Sequence, residues 1–432
     1  MGTTVFARGA LLLVPGIVCI LSSTPVMAEE QVLSLPQVIE YSLQNNGGLI
    51  SLREEKGIRD AGKVRAGLFP NPTLDVEVGT GALTGSSAEN SLALGISQEF
   101  LLAGKRGKRT AMAERELDMY RWQLADRERL AGGEVKAAFY DVLLSEQRIA
   151  LSVRAIALSR QLLDVTKERL AAGDIPELEM NLAQVELARS ESARIEAEKG
   201  HRQNQAKLSA LMGLPLDKQP VLSGKLDVTV PLTQTVAELK QLARDRRPDV
   251  KALEAEKGRG DADISLSQAE GIPNLTAGLV VRRDTTSLEV GGVEGKDTAY
   301  TIGMKLSMPI PLFDRNQAGV QEARARRSSS EGRLIALRRD VDREVETAYA
   351  GCLNSDTILS LYRKNIIPQL EENLKLTQEA YRLGEVGILA VIQEQKNFFE
   401  VSDGYLTALH DRQIALVKLE TAVATELSGG VQ

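Results

Sequence analysis

Twice along this chain a helical pattern stops at a Pro-Asn pair and gives way to residues that alternate strictly between apolar and polar. The first switch lies in GLFPNPTLDVEVG, residues 67–79, and the second begins with GIPNLTAGLV at Gly271. A change of period from near 3.5 to 2 is a change from helix to strand, because strand side chains point alternately to opposite faces. Any fold for this chain must join long helices directly to short strands, and must do so twice.

After Pro72, Leu74, Val76 and Val78 oppose Asp75 and Glu77, and Leu92, Leu94 and Ile96 then alternate with Ser91, Ala93, Gly95 and Ser97. In the second region Leu275, Ala277, Leu279 and Val281 precede Tyr300, Ile302, Met304, Leu306 and Met308, which alternate with Thr301, Gly303, Lys305 and Ser307. Loops rich in Gly, Ser and Thr, 80–90 and 284–298, separate the members of each pair. The pattern predicts two hairpins, over 72–100 and 274–309. One face of the strands is apolar: Leu74, Val76, Val78, Leu92, Leu94, Ile96, Leu275, Leu279, Ile302, Met304 and Leu306.

The two regions belong to an internal repeat. FPN from Phe69 is echoed by IPN from Ile272, EVKAAF from Glu134 by EVETAY from Glu344, and LAAGDI from Leu170 by YRLGEV from Tyr381. The spacing between copies widens past the strands, so the second copy carries an insertion, placed at the loop Thr285–Asp297. The first repeat is read as 29–212 (helix, strand pair, long helical hairpin), the linker as 213–247 and the second repeat as 248–428, with a tail at 429–432. Pro215, Pro220 and Pro231 mark the linker as irregular.

The remainder is helical. Ile149, Ile156, Leu163 and Leu170 recur every seven residues, as do Ile367, Leu374, Tyr381 and Ile388, and such seams need a neighbouring helix. Between Asp314 and Leu383 the only proline is Pro368, so a helix of roughly 105 Å, kinked at that proline, is expected. Its first-repeat counterpart covers about 104–172. Each turns at a glycine, Gly173 or Gly384, and returns as a second helix over 177–211 or 388–427. With 26% charged and only 4% aromatic residues, the composition suits helices packed on one another.

Residues 1–28 read as a secretory leader cut before Glu29, with Arg8 its only charge and an apolar run from Ala10 to Leu21. Cleavage moves the net charge from −6 to −7, which argues against a nucleic-acid partner. Only Cys352 remains in the mature chain, as a small filler on a helix. His201 and His410 are far apart in sequence without a second ligand at useful spacing, so neither a metal site nor a cofactor is expected. No constellation supports an enzyme.

Four strands of this length fit a tilted bilayer crossing, but a four-stranded sheet cannot stand in lipid with open edges. The alternative is a small soluble sheet packed on a helix, which helices this long would not bury. Closure by three chains would give twelve strands. The helix opened by Leu35–Leu49, FPNP at Phe69–Pro72, RPD at Arg247–Asp249, PLFD at Pro311–Asp314 and the glycine tips together resemble the TolC family of outer-membrane efflux proteins. The pairing of PNP with PLFDRN (311–316) is most similar to its heavy-metal branch, the CzcC- and CusC-like proteins. Gly47 stands where that family usually has proline, which leaves φ unfixed at a helix start.

The resemblance implies a mixed, mainly α fold: a homotrimer with a 12-stranded transmembrane β-barrel in the outer-membrane lipid and a periplasmic tunnel of long coiled-coil helical hairpins. It implies a passive duct, here for heavy-metal cations, fed by an inner-membrane RND-type pump through a periplasmic adaptor. Ducts for drugs or secreted polypeptides, or a periplasmic helical scaffold, are the alternatives. By the same resemblance Tyr381 falls on a tyrosine that keeps the tunnel closed, and Glu179 near its acidic partner. The family's pair of acidic residues after the second tip is replaced by Ala390 and Gln393, leaving Glu385 and Glu394 nearby as entrance carboxylates. The tips Gly173, Asp174, Gly384 and Glu385 are the expected adaptor contacts.

Overall fold

The computed structural model describes residues 32–83, 87–215, 219–227 and 231–427. The leader at 1–28 and the tail at 429–432 lie outside the described residues. Strand β1 (Val32–Ser34) leads into helices α1 (Leu35–Asn45) and α2 (Gly47–Gly67), then β2 (Thr73–Thr80) and β3 (Asn90–Phe100). Helices α3 (Lys105–Ala171) and α4 (Glu177–Leu211) form the first long hairpin. A short strand β4 (Val221–Ser223), α5 (Val236–Arg246) and α6 (Pro248–Glu270) connect it to β5 (Leu275–Val290) and β6 (Val293–Ser307). Helix α7 (Gln317–Leu361), a π-helical turn (Tyr362–Ile366), α8 (Ile367–Leu383) and α9 (Ile388–Val423) form the second hairpin.

Local chemistry explains the boundaries. Asn46 breaks the first helix into α1 and α2, and its side chain accepts hydrogen bonds from the Gly48 and Leu49 amides at 3.0 and 3.2 Å. That cap supplies the restraint that proline would otherwise give at residue 47. In the second hairpin the interruption expected at Pro368 is a π turn over the five residues Tyr362–Ile366. Proline has no N–H for its i−4 partner, so the helix rearranges its bonding just ahead of it. The segment 213–247, read as an irregular linker, holds β4, which pairs in parallel with β1, and all of α5.

Strands β2, β3, β5 and β6 form one antiparallel sheet in that order. Leu74 pairs with Ile96, which pairs with Leu279 and through it Met304; Val76, Leu94, Val281 and Ile302 form the next row. Directly opposed residues share a face. All eleven residues expected on the apolar face therefore lie on one side, with Asp75, Glu77, Arg282 and Lys305 on the other. There Arg282 Nη2 bonds Glu77 Oε2 at 3.2 Å and Ser97 Oγ donates to Asp75 Oδ2 at 3.1 Å. The apolar face is bare: Ile302 is 80% and Met304 78% exposed. No described helix is long and apolar enough to cross a membrane.

The insertion in the second repeat is not the loop 284–298 that its Gly/Ser/Thr content suggested. β5 and β6 pair through to Val290 and Val293, and the chain reverses at Gly291 and Gly292, both with positive φ (64° and 82°). Two consecutive left-handed residues make a tight turn that matches strand twist. The extra residues thus lengthen a hairpin beyond β3, whose last partner on β5 is Thr285.

Helix α3 has 67 residues, about 100 Å at the usual rise. Its seam against neighbouring helices differs from the expected one. Leu163 is buried, but Ile149, Ile156 and Leu170 are only half-buried. The fully covered stripe, also at seven-residue spacing, is Ala138, Ser145, Ser152, Ser159 and Thr166. Small side chains let α4 approach closely, and Ser159 Oγ meets Ser190 Oγ of α4 at 2.9 Å. In the second hairpin Leu374, Tyr381 and Ile388 are buried as the heptad predicts.

Arg247 of the RPD segment is 5% exposed and holds the junction of α5 and α6 to the middle of α7 and the C-terminal end of α9. It bonds Asp249 through Nε and Nη2 at 3.0 and 2.7 Å, Glu344 at 2.6 Å and the Ala422 carbonyl at 3.1 Å. Burial works to raise the Asp249 carboxyl, but the bonds and charge of Arg247 outweigh it and hold it below the usual carboxylate range. Arg247→Leu is expected to cost about 3 kcal/mol at neutral pH by stranding that carboxylate. Because the folded pKa of Asp249 is depressed, the wild-type advantage exists above the unfolded carboxylate pKa and fades as pH falls through the folded one. Thermal unfolding of the two proteins from neutral pH down through the carboxylate range measures it, with the curves converging at the acid end.

Candidate gate at the hairpin tips

Both hairpins turn by the same chemistry. At the first, the Gly173 amide bonds the Leu170 carbonyl at 3.0 Å and the Asp174 amide bonds that of Arg169 at 2.9 Å. At the second, Gly384 bonds Tyr381 at 3.0 Å and Glu385 bonds Ala380 at 2.9 Å. Each glycine has φ of 82°, a conformation that a residue with a Cβ adopts only under strain. Helix α4 then starts with Glu177 and Glu179 in its first turn, where carboxylates favour the helix dipole. The four tip residues Gly173, Asp174, Gly384 and Glu385 are all exposed.

Just inside the tips the two hairpins are fastened together. Tyr381 of α8 is 2% exposed and packs among Leu162, Leu163, Ala183, Ile388, Val391 and Ile392. Its hydroxyl donates to Glu179 Oε2 at 3.1 Å, a contact between residues 202 apart in sequence. Burial raises the phenol pKa, and the Glu179 carboxylate adds to that against an opposing contribution from Thr166. The phenol therefore stays a donor at any pH the protein meets.

The other two entrance carboxylates stand apart from this contact. Glu385 is exposed on the turn itself. Glu394 is half-buried, with Oε1 sealed from solvent and no hydrogen-bond partner. Beside it Gln395, 1% exposed, has neither amide atom partnered and lines a cavity of about 150 Å³ with Gln161, Lys375, Gln378 and Arg382.

Two neighbours of Tyr381 escape a reading of the sequence: Arg169, whose Nη1 donates to the Tyr381 carbonyl at 2.9 Å, and Thr166 beside the phenol. The only signal for Arg169 is its place in the last helical turn before a glycine, where a basic residue meets exposed carbonyls. Away from the tips, His201 Nδ1 lies 2.9 Å from Ser145 Oγ, and His410 Nε2 lies 2.9 Å from Asp141 Oδ1. Among the described residues no group of three or more His, Cys, Asp or Glu is placed to hold a metal ion. Cys352 is fully buried, and burial pushes its thiol up to about 11.

The sheet with one bare apolar face, the paired long hairpins and the fastened tips are a combination that can be compared with known proteins. The family model described as "Outer membrane efflux protein" matches residues 51–214 and 239–425. The chain belongs to the outer membrane efflux protein family. It is an outer-membrane efflux channel protein whose helices stand in the periplasm. The efflux protein is 26% identical to the cobalt-zinc-cadmium resistance protein CzcC of Cupriavidus metallidurans over 391 residues, 90% of either chain. It is 28% identical to the nickel-cobalt-cadmium resistance protein NccC of Alcaligenes xylosoxydans xylosoxydans, over 65% of this chain and 60% of that one. A solved structure of CusC superposes with a TM-score of 0.74 at 18% identity, over 90% of this chain and 91% of the other, and so shares the fold.

Proposed function

We propose that three copies of this chain close into a passive duct that exports divalent heavy-metal cations across the outer membrane. The observation that carries the reading is the sheet: an exposed apolar face bounded by two unpaired edges, β2 and β6. In lipid each unsatisfied N–H or C=O on such an edge costs on the order of several kcal/mol, so the sheet must close. β2 and β6 run in opposite directions, so β6 of one copy fits antiparallel against β2 of the next. Three four-stranded sheets make twelve strands, an even number as bacterial outer-membrane barrels have.

The substrate class follows the names of two relatives, which refer to resistance against cobalt, zinc, cadmium and nickel. The inward face of the sheet suits small charged cargo, with Asp75, Glu77 and Asp284 set against Arg282 and Lys305. In this reading Tyr381–Glu179 is the closed-state contact, and Glu385 and Glu394 lie at the tunnel mouth. A periplasmic adaptor docks on the exposed tips at Gly173, Asp174, Gly384 and Glu385, and an inner-membrane RND-type pump drives the flux.

Deleting the gene and scoring survival against a panel of divalent metals and drugs tests the substrate. Selective loss of tolerance to one or more of the metals is expected. Equal tolerance of every metal in mutant and wild type overturns the metal reading, and a loss confined to drugs reassigns the duct.

A further inference from the structure

We propose that Arg169 is the positioning residue of the gate: from the first hairpin it grips both the ring and the backbone of Tyr381 and aims the hydroxyl at Glu179. The proposal rests on Tyr381–Glu179 being the closed-state contact.

Arg169 sits in the last turn of α3, two residues before the helix ends. Its Nη1 donates to the Tyr381 carbonyl at 2.9 Å, and the guanidinium carbon lies 4.9 Å from the centroid of the Tyr381 ring. One side chain thus fixes two parts of its target. The carbonyl belongs to the last turn of α8, where it accepts from the Gly384 amide as well as from Arg169 and where a cation is favoured by the helix dipole. The ring presents its negative face to the same cation. A planar, permanently charged fork can stack and donate at once, whereas an ammonium is a point charge and must choose.

Glycine at the second tip lies beside the guanidinium. A Cβ on Gly384 would meet Arg169 Nη2 at 3.4 Å, an ordinary contact, so it is the positive φ of the turn, 82°, that calls for glycine beside the arginine. Glu179 on α4 then holds the far end of the tyrosine. The first repeat grips one residue of the second from α3 and from α4, so swinging the hydroxyl off the carboxylate by a change of χ1 also breaks the stacking of Arg169 on the ring. Arg382, which lies near the second glycine, takes no part in this grip. It is exposed and pairs with Glu379 on its own helix at 3.2 Å.

The test is single-channel recording of the purified protein in planar bilayers, comparing wild type, Tyr381→Phe/Glu179→Gln, Arg169→Met and Arg169→Lys. Arg169→Met keeps most of the side-chain volume, and its open probability should rise at least about tenfold, the scale of one charge-assisted hydrogen bond. Arg169→Lys should recover only part of the closure. Adding Arg169→Met to the Tyr381/Glu179 pair should change little further, because the arginine acts through the tyrosine. A purely structural role would lower the unfolding temperature with the current unchanged, and that result overturns the proposal provided the Tyr381/Glu179 variant itself opens. If the Tyr381/Glu179 variant conducts as wild type, the gate reading fails, and the role of Arg169 falls with it.

Discussion

Tyr381→Phe combined with Glu179→Gln is expected to convert a mostly shut channel into a mostly open one. A hydrogen bond from a buried phenol to a carboxylate contributes about 2 kcal/mol, and the hydroxyl lies at 3.1 Å from an oxygen of Glu179. In a trimer whose tips open together, three such contacts sum to about 6 kcal/mol. Moving a two-state population from 1:99 to 99:1 takes about 5.5 kcal/mol, so losing all three suffices to invert the equilibrium. The substitutions leave the apolar packing of the ring among Leu162, Ile388 and Val391 intact, so the hairpins remain folded. Single-channel conductance is the readout. An unchanged current in a properly assembled trimer would remove Tyr381 and Glu179 from the gate.

A one-residue contrast on β3 should have an effect as large. Ile96→Arg places a guanidinium on the apolar face, opposite Leu74 and Leu279, while Ser97→Arg places it on the inward face beside Asp75. Arginine on the lipid face of a barrel costs about 3 kcal/mol near the midplane, and three copies multiply it to about 9 kcal/mol. Ile96→Arg should lose the heat-labile trimer from the outer-membrane fraction, whereas Ser97→Arg should assemble and shift the channel toward anions. Equal assembly of both variants would contradict the assignment of faces and, with it, the barrel.

The alternation of the strands is legible because period 2 survives in a sequence read one residue at a time. Register is not needed to sort Leu74 from Asp75, only to show that Leu74, Ile96, Leu279 and Met304 share a row. The segment 284–298 reads as a loop for a local reason. Ser, Thr and Gly are common in loops, yet on an exposed two-stranded extension the same residues pair, and Gly291-Gly292 is the true turn signal. The helical seam is misplaced by sequence because large apolar residues are the usual marker of burial. Here Ser145, Ser152, Ser159 and Thr166 take the covered positions, and Ile149 and Ile156 flank them.

At the gate, the glycine tips follow from sequence, whereas Tyr381 and Glu179 stand out through family likeness rather than from any property of the residues themselves. Arg169 shows why. Its partners are a ring and a carbonyl 212 residues away, and no pattern within α3 distinguishes it from the other basic residues of a long helix.

By itself the sequence determined what depends on neighbours along the chain: where helix yields to strand, where helices turn, which strand face is apolar, and that the unit occurs twice. Periodicity, proline and glycine act over a few residues, so a linear reading captures them. Only the tertiary structure decided which stripe of α3 is covered, how far β5 and β6 extend, and that Arg169, Glu179 and Tyr381 meet. Those depend on how closely two long helices approach and on which turns of separate hairpins end at the same height.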